Sequence, residues 1–274
     1  MAYHPSVAVI TNIELDHTEC YDGLEDIINT FEKFANKADQ VIACGDDENV
    51  RKINFSKPIT YYGFNDNNNV VAKNVELTDK GSQFDVYIDS CLFDSYELPL
   101  YGKHMILNAL SAIIIANSYG ISKEDIKKYI SEFKGAKRRF KEEAINDYII
   151  IDDYAHHPTE ISVTIDAARQ KYHDKNIVAV FLPNTYSRTD ALMEDFAKSL
   201  SKADKTYIMD IYCDREKPEE YPGVNSDTLI SKVDNSEKIS VDTVEKLKEH
   251  KNSVICFMSC TNIYILLDKF KDII

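Results

Sequence analysis

The chain has 274 residues, room for two domains of roughly 100–200 residues each. Its 44% hydrophobic and 28% charged content supports packed cores and argues against wholesale disorder. A formal charge of −14 excludes a broad nucleic-acid or acidic-membrane surface, because such surfaces need clustered Lys and Arg.

The residues from Ser6 to Ile13 read as a buried strand around Val7-Ala8-Val9-Ile10, with only Met1 to Pro5 ahead of it. A domain seldom opens on a core strand, so the chain is expected to be a fragment of something longer. Leu24 to Ala38 has apolar residues at helical spacing, and Val41 to Cys44 and Ile59 to Tyr62 read as further strands. Val70 to Glu76, Gln83 to Asp89 and Cys91 to Leu98 then read as consecutive antiparallel strands, with turns at Asp79-Lys80-Gly81 and near Asp89-Ser90. His104 to Tyr119 is an apolar helix stopped by Gly120, and Ser122 caps a second helix running to Phe133.

A boundary is expected between Gly135 and Lys141, after which strands and helices alternate. The strands are Tyr148–Ile151, Ile177–Leu182, Lys205–Met209, a brief one at Ile239, and Val254–Met258. The helices are 158–172, 190–201, 226–232, 241–250 and 261–270. Such alternation predicts a mostly parallel sheet covered on both faces, with ligands beyond the C-terminal strand ends. The cysteines Cys20, Cys44, Cys91, Cys213, Cys256 and Cys260 form no Cys-x-x-Cys pair, which fits a reducing compartment. Cys256 and Cys260 have no His or Cys cluster around them, so no zinc site is expected there. No leader pattern and no apolar run of the ~20 residues a membrane helix needs is present, so a cytoplasmic chain without membrane insertion is expected.

Five polar clusters can carry chemistry. Asp16 and His17 follow the first strand and can meet a divalent ion, or be surface residues. Asn108 lies one turn from His104 on a helix face; spacing alone favours a buried polar contact over a ligand contact. Arg138 and Arg139, adjacent cations in an acidic chain, can clamp a phosphate at the domain boundary or form a solvated linker pair. The turn Asp152-Asp153-Tyr154-Ala155-His156-His157-Pro158 crowds carboxylates, a phenol and imidazoles between a strand and a helix. A structural turn needs none of these, so a ligand-contacting turn is expected. Arg188, after the next strand, stands by a helix start that favours anions; a lone surface Arg is the alternative.

The last two clusters, Asp-Asp-Tyr-Ala-His-His-Pro-Thr-Glu-Ile and Phe-Leu-Pro-Asn-Thr-Tyr-Ser-Arg-Thr, resemble segments of the Mur ligase family. Thr-Asn-Ile-Glu-Leu-Asp-His, Gly-Lys-His-Met-Ile-Leu-Asn-Ala and Gly-Ala-Lys-Arg-Arg-Phe agree, in family order, and the His-His-Pro segment is similar to the alanine-adding branch. The resemblance implies an α/β fold. An incomplete P-loop-type central domain with a small antiparallel β insert, residues 1–138, would precede a Rossmann-like C-terminal domain with a mostly parallel sheet, residues 139–274.

It also implies ATP with Mg2+ or Mn2+, and UDP-N-acetylmuramate and L-alanine as small-molecule substrates. In that branch the lactyl carboxylate takes the γ-phosphoryl group and the alanine amine attacks the acyl phosphate, a reaction of cell-wall peptidoglycan synthesis that depends on positioning and charge neutralisation. By the same resemblance His17 is the metal-site histidine and Asn108 faces the ATP base. Arg139, with Arg138, lies near the phosphates, and Asp153 or the adjacent Asp152 faces the ribose. Tyr154, His156 and His157 are substrate-side contacts, and Arg188 clamps the anionic substrate.

The chain departs from the family in several places. No Gly-rich phosphate loop and no uridine-binding domain occurs in it, so the fragment is expected to be inactive alone. Asn184 stands where His is usual, Met105 replaces an Asn, and Met258 to Asn262 replaces a Gly-Ala-Gly-Asp-Ile segment, where glycine permits closer backbone approach. These changes leave a non-catalytic binding or regulatory paralogue as the alternative. A metal hydrolase on Asp152, Asp153, His156 and His157 is disfavoured, since adjacent His residues on a turn seldom share one ion.

Overall fold

The computed structural model describes residues 4–18 and 20–274. The chain forms two compact units, Met1–Lys134 and Gly135–Ile274.

The first unit is one sheet in sequential strand order: β1 (Val7–Ile10), β2 (Gln40–Cys44), β3 (Ile59–Gly63), β4 (Val70–Thr78), β5 (Gly81–Ile88) and β6 (Cys91–Leu98). The pairs from β1 to β4 are parallel and those from β4 to β6 antiparallel. The expected antiparallel insert is thus continuous with the parallel strands, joined where Tyr62 pairs with Val70. Asp89 and Ser90 both have positive φ (46° and 68°), as a two-residue hairpin requires to match strand twist.

Strand alternation splits the core in two. Val41 and Ala43 of β2 face Ile27 and Ile28 of α1 (Leu24–Ala35). Ile42 and Cys44 face Ile106, Leu110 and Ile113 of α3 (Lys103–Ser118). A one-turn helix α2 (Glu48–Arg51), capped by Asp47, lies between β2 and β3, and α4 (Lys123–Glu132) closes the unit with Ser122 as its cap. Among the described residues no helix is long and apolar enough to cross a membrane.

The second unit has β7 (Lys141–Ile145), β8 (Tyr148–Asp153), β9 (Ile177–Phe181), β10 (Lys205–Ile208), β11 (Ser236–Lys238) and β12 (Val254–Met258). Their spatial order is β11-β10-β9-β12-β8-β7, parallel except for the β7–β8 pair. On one face Ile150, Val178, Val180, Ile255 and Phe257 meet a 3-10 helix (Val241–Glu249) and α9 (Tyr264–Ile273). α5 (Pro158–Lys171) packs on β9 and β12 and against α7 (Met193–Leu200). α6 (Tyr186–Ala191) and α8 (Ser226–Ile230) complete the unit.

Three local expectations are corrected. The Asp190–Ser201 helix starts earlier and breaks at Leu192, whose φ and ψ of −119° and 20° leave the helical region. The 241–250 segment is a 3-10 helix because its apolar residues Val241, Val244 and Leu247 recur every three positions. A strand that was not expected, β7, starts at the end of the boundary segment; its Lys-Glu-Glu sequence lacks apolar alternation because it is an exposed edge, where charge blocks further pairing.

Candidate functional site

β12 lies between β8 and β9, and Met258 is in register with both Asp153 and Phe181, so the three strands end along one edge of the sheet. The connection from β8 to β9 passes over β12. The turns after β8 and β9 therefore stand roughly 10 Å apart across one strand, at the kind of crevice where open α/β sheets bind ligands. This brings Asp152, Asp153, Tyr154, His156, His157 and Arg188 to a common edge.

Ser259, just past β12, stitches the edge together. Its N–H donates to the Asp153 carbonyl at 3.2 Å, its hydroxyl to the Leu182 carbonyl at 3.0 Å, and its own carbonyl accepts from Arg138 at 3.0 Å. Ser259 stands at the alanine position of the usual Gly-Ala-Gly-Asp-Ile segment, and its hydroxyl adds a bond to the residue that follows β9. Nothing in the sequence marked it beyond the departure from the family pattern.

Both aspartates are 6% exposed. Asp153 accepts from the Phe140 N–H at 2.7 Å and the Ala155 N–H at 2.8 Å. Burial pushes its carboxyl up, against the pull of those N–H groups and of Arg139. Asp152 accepts from the Tyr264 hydroxyl at 2.8 Å, and its second oxygen is buried with no hydrogen-bond partner among the described residues. Burial, then the bond to Asp152, pushes the Tyr264 phenol up.

The turn beyond them is held by α5. His157 caps the helix, accepting from the Thr159 N–H at 3.3 Å, and Pro158 fills the first helical position. Glu160 completes a capping box by accepting from the His156 and His157 N–H groups at 3.0 and 3.2 Å. Its carboxylate also lies 3.1 Å from His156 Nδ1 and 3.3 Å from Arg139. Burial pushes Glu160 up, but His156, the N–H groups and Arg139 outweigh it and hold the carboxyl below its usual range. His157 is thereby a structural cap, while the Tyr154 and His156 rings meet edge to face at 5.3 Å.

The turn after β9 is held differently from expectation. Thr185, with φ 66°, caps α6, and the N–H groups of Tyr186 and Ser187 donate to Glu216 at 2.7 and 3.1 Å. A side chain of the chain itself therefore occupies the helix start that the sequence suggested for an anion. Arg188 is 8% exposed and donates to the Asn184 carbonyl at 3.5 Å.

In the first unit, Asn108 lies on the exposed side of α3 at the rim of an apolar pocket of about 480 Å³ lined by Met105, Ala112, Tyr129 and Phe133. That sets it against open space rather than the buried polar contact that spacing favoured. His17 has φ 53°, a side chain 60% exposed, and Asp16 3.7 Å away. Among the described residues no group of three or more His, Cys, Asp or Glu side chains is gathered to hold a metal ion. Among the described residues, neither His17 with Asp16 nor the Asp152 to His157 turn gathers a full set of metal ligands.

Residues 1–116 match the Mur ligase middle domain and residues 138–259 the Mur ligase, glutamate ligase domain. The chain superposes on the UDP-N-acetylmuramate–alanine ligase of Thermotoga maritima with TM-score 0.76 and 23% identity, covering 98% of this chain and 60% of that one. A murein peptide ligase from Psychrobacter arcticus gives 0.68 and 21%, over 98% and 57%. The MurF ligase of Thermotoga maritima in complex with ADP gives 0.77 and 17%, over 97% and 62%. The chain spans about 60% of the length of these structures. Built from these two consecutive domains, the chain belongs to the Mur ligase family.

Proposed function

We propose that this chain is the latter part of a ligase that joins L-alanine to UDP-N-acetylmuramate through an acyl phosphate, with ATP as the phosphoryl donor. One observation carries the reading: the Tyr154–His157 turn and the Arg188 turn flank the same β12 end. In this reading Tyr154 and His156 contact the substrate and Arg188 counters its negative charge. His157 acts through the helix cap. In the second unit Asp152 and Asp153 are assigned to the ribose and Arg139 with Arg138 to the phosphates; in the first unit Asn108 is assigned to the base. His17 would contribute one ligand to Mg2+ or Mn2+, an ion that keeps waters and substrate phosphates as most of its ligands.

The His-His-Pro segment supports the alanine-adding branch over the others that share the fold. Residues 1–138 act as the remnant of the nucleotide domain and 139–274 as the ligase domain. No Gly-rich phosphate loop occurs in the 274 residues, so the chain by itself would not turn over ATP. The alternative, a non-catalytic paralogue, is motivated by the changes at Asn184 and at Met258 to Asn262 and is favoured by Glu216 on the α6 start. Calorimetric titration with UDP-N-acetylmuramate tests the reading. Binding that falls at least tenfold in both R188A and R188K supports it. No binding, or binding indifferent to both changes, rejects it.

A further inference from the structure

The adjacent arginines at the boundary are not equivalent. Arg139 points outward: its side chain is 51% exposed and meets Glu160 at 3.3 Å. Arg138 is the less exposed of the two, although the Arg139 guanidinium also reaches the Tyr154 ring, at 5.5 Å. Its guanidinium donates to the Ser259 carbonyl at 3.0 Å and lies over the rings of both Tyr154, at 4.7 Å, and Tyr264, at 5.1 Å. Tyr264 is in turn fixed by its bond to Asp152. The Arg138 carbonyl accepts from the Tyr154 N–H at 2.9 Å, so backbone and side chain of Arg138 both hold Tyr154.

This arrangement is strained and costly. Arg138 and Phe140 have φ of 57° and 52°, which non-glycine residues rarely adopt. Arg138 Nε and one Asp152 oxygen are buried without a hydrogen-bond partner among the described residues. Such features persist where the surroundings over-determine them, and they gather at functional sites.

We infer that Arg138 is a positioning residue, clasped between Tyr154 and Tyr264 and latched by Ser259 and Asp152, which fixes the Tyr154 ring and leaves Arg139 as the guanidinium that meets phosphate. A planar guanidinium suits this, since it stacks on two rings while donating in its own plane, which a Lys ammonium cannot do. The inference rests on the nucleotide reading above for its ligand, and on geometry alone for the latch.

Two measurements on the 274-residue chain separate these parts. The first needs no ligand: in 15N NMR the Arg138 Nε–H exchanges slowly with solvent in the wild type and at least tenfold faster in Y264F. Equal rates in the two proteins overturn the latch. The second compares ADP with adenosine by NMR titration. R138K and Y264F are expected to weaken both ligands by the same factor, about three- to tenfold, because they loosen Tyr154. R139Q is expected to weaken ADP about tenfold and leave adenosine unchanged. An R138K loss confined to ADP makes Arg138 a phosphate contact and overturns the division of roles. A wild type that binds neither ligand rejects the nucleotide reading and Arg139's part in it, while the exchange rates still decide the latch.

Discussion

The Phe140 N–H donates to the Asp153 carboxylate at 2.7 Å, tying the turn that carries Arg138 and Arg139 to the end of β8. With the Ala155 N–H on its other oxygen, Asp153 joins the segments on both sides of the site. D153A leaves two N–H groups without their acceptor, at about 1–3 kcal/mol for each one that stays dry. Urea unfolding of the second unit is therefore expected to show a loss of about 2–4 kcal/mol. D153N keeps one acceptor oxygen and should lose about half as much. Equal losses in the two variants would show that the carboxylate does not bridge.

Glu160 gives the stability of the second unit an acid limb. Its folded carboxyl is held below the usual value of 4.5, so its stabilisation is present above that value and is lost as pH falls through the lower, folded one. E160Q does not titrate there. Its urea midpoint should lie below the wild type near neutral pH, and the gap should close on acidification. A constant gap would assign the effect to shape rather than charge.

Each unit has its own core, so core truncations should act locally. Leu110 and Ile255 are each 0% exposed. L110A should cost the first unit, and I255A the second, about 2–5 kcal/mol, as deletion of buried aliphatic groups does. Native-state hydrogen exchange reads the two separately: protection should fall in β2 and β3 for L110A, and in β8, β9 and β12 for I255A. A loss of protection in the untouched unit would contradict independent cores.

Phosphate release with ATP, UDP-N-acetylmuramate and alanine should stay at background for this chain. No backbone loop among its residues matches the pattern that cradles β- and γ-phosphates. Robust turnover in a malachite-green assay would overturn the fragment reading.

Much of this was legible because buried parallel strands and capped helices leave strong local signals. Val254–Met258 is a continuous apolar run and is a strand, and Ser122 and Pro158 mark helix starts where the structure has them. The polar turn after β8 stood out because it crowds titratable side chains between a strand and a helix, but the structure uses several of them to hold the turn: Asp153 accepts from Phe140 and Ala155, and His157 caps α5. The details that decide roles were not legible, because they depend on residues distant in the chain. Ser259 meets Arg138 across 121 positions and Tyr264 meets Asp152 across 112. Glu216 reaches the α6 start from a loop that read only as acidic. Edge strand β7 was hidden because solvent, not a core, sets its composition.

The most direct test of the account is an amide NMR map of the chain titrated with UDP-N-acetylmuramate. Shifts are expected to concentrate at the strand-end turns, around residues 153–157, 184–188 and 259–261, and to fade in R188K. Shifts confined to other faces of the second unit, or a saturating interaction that leaves these turns unmoved, would contradict it.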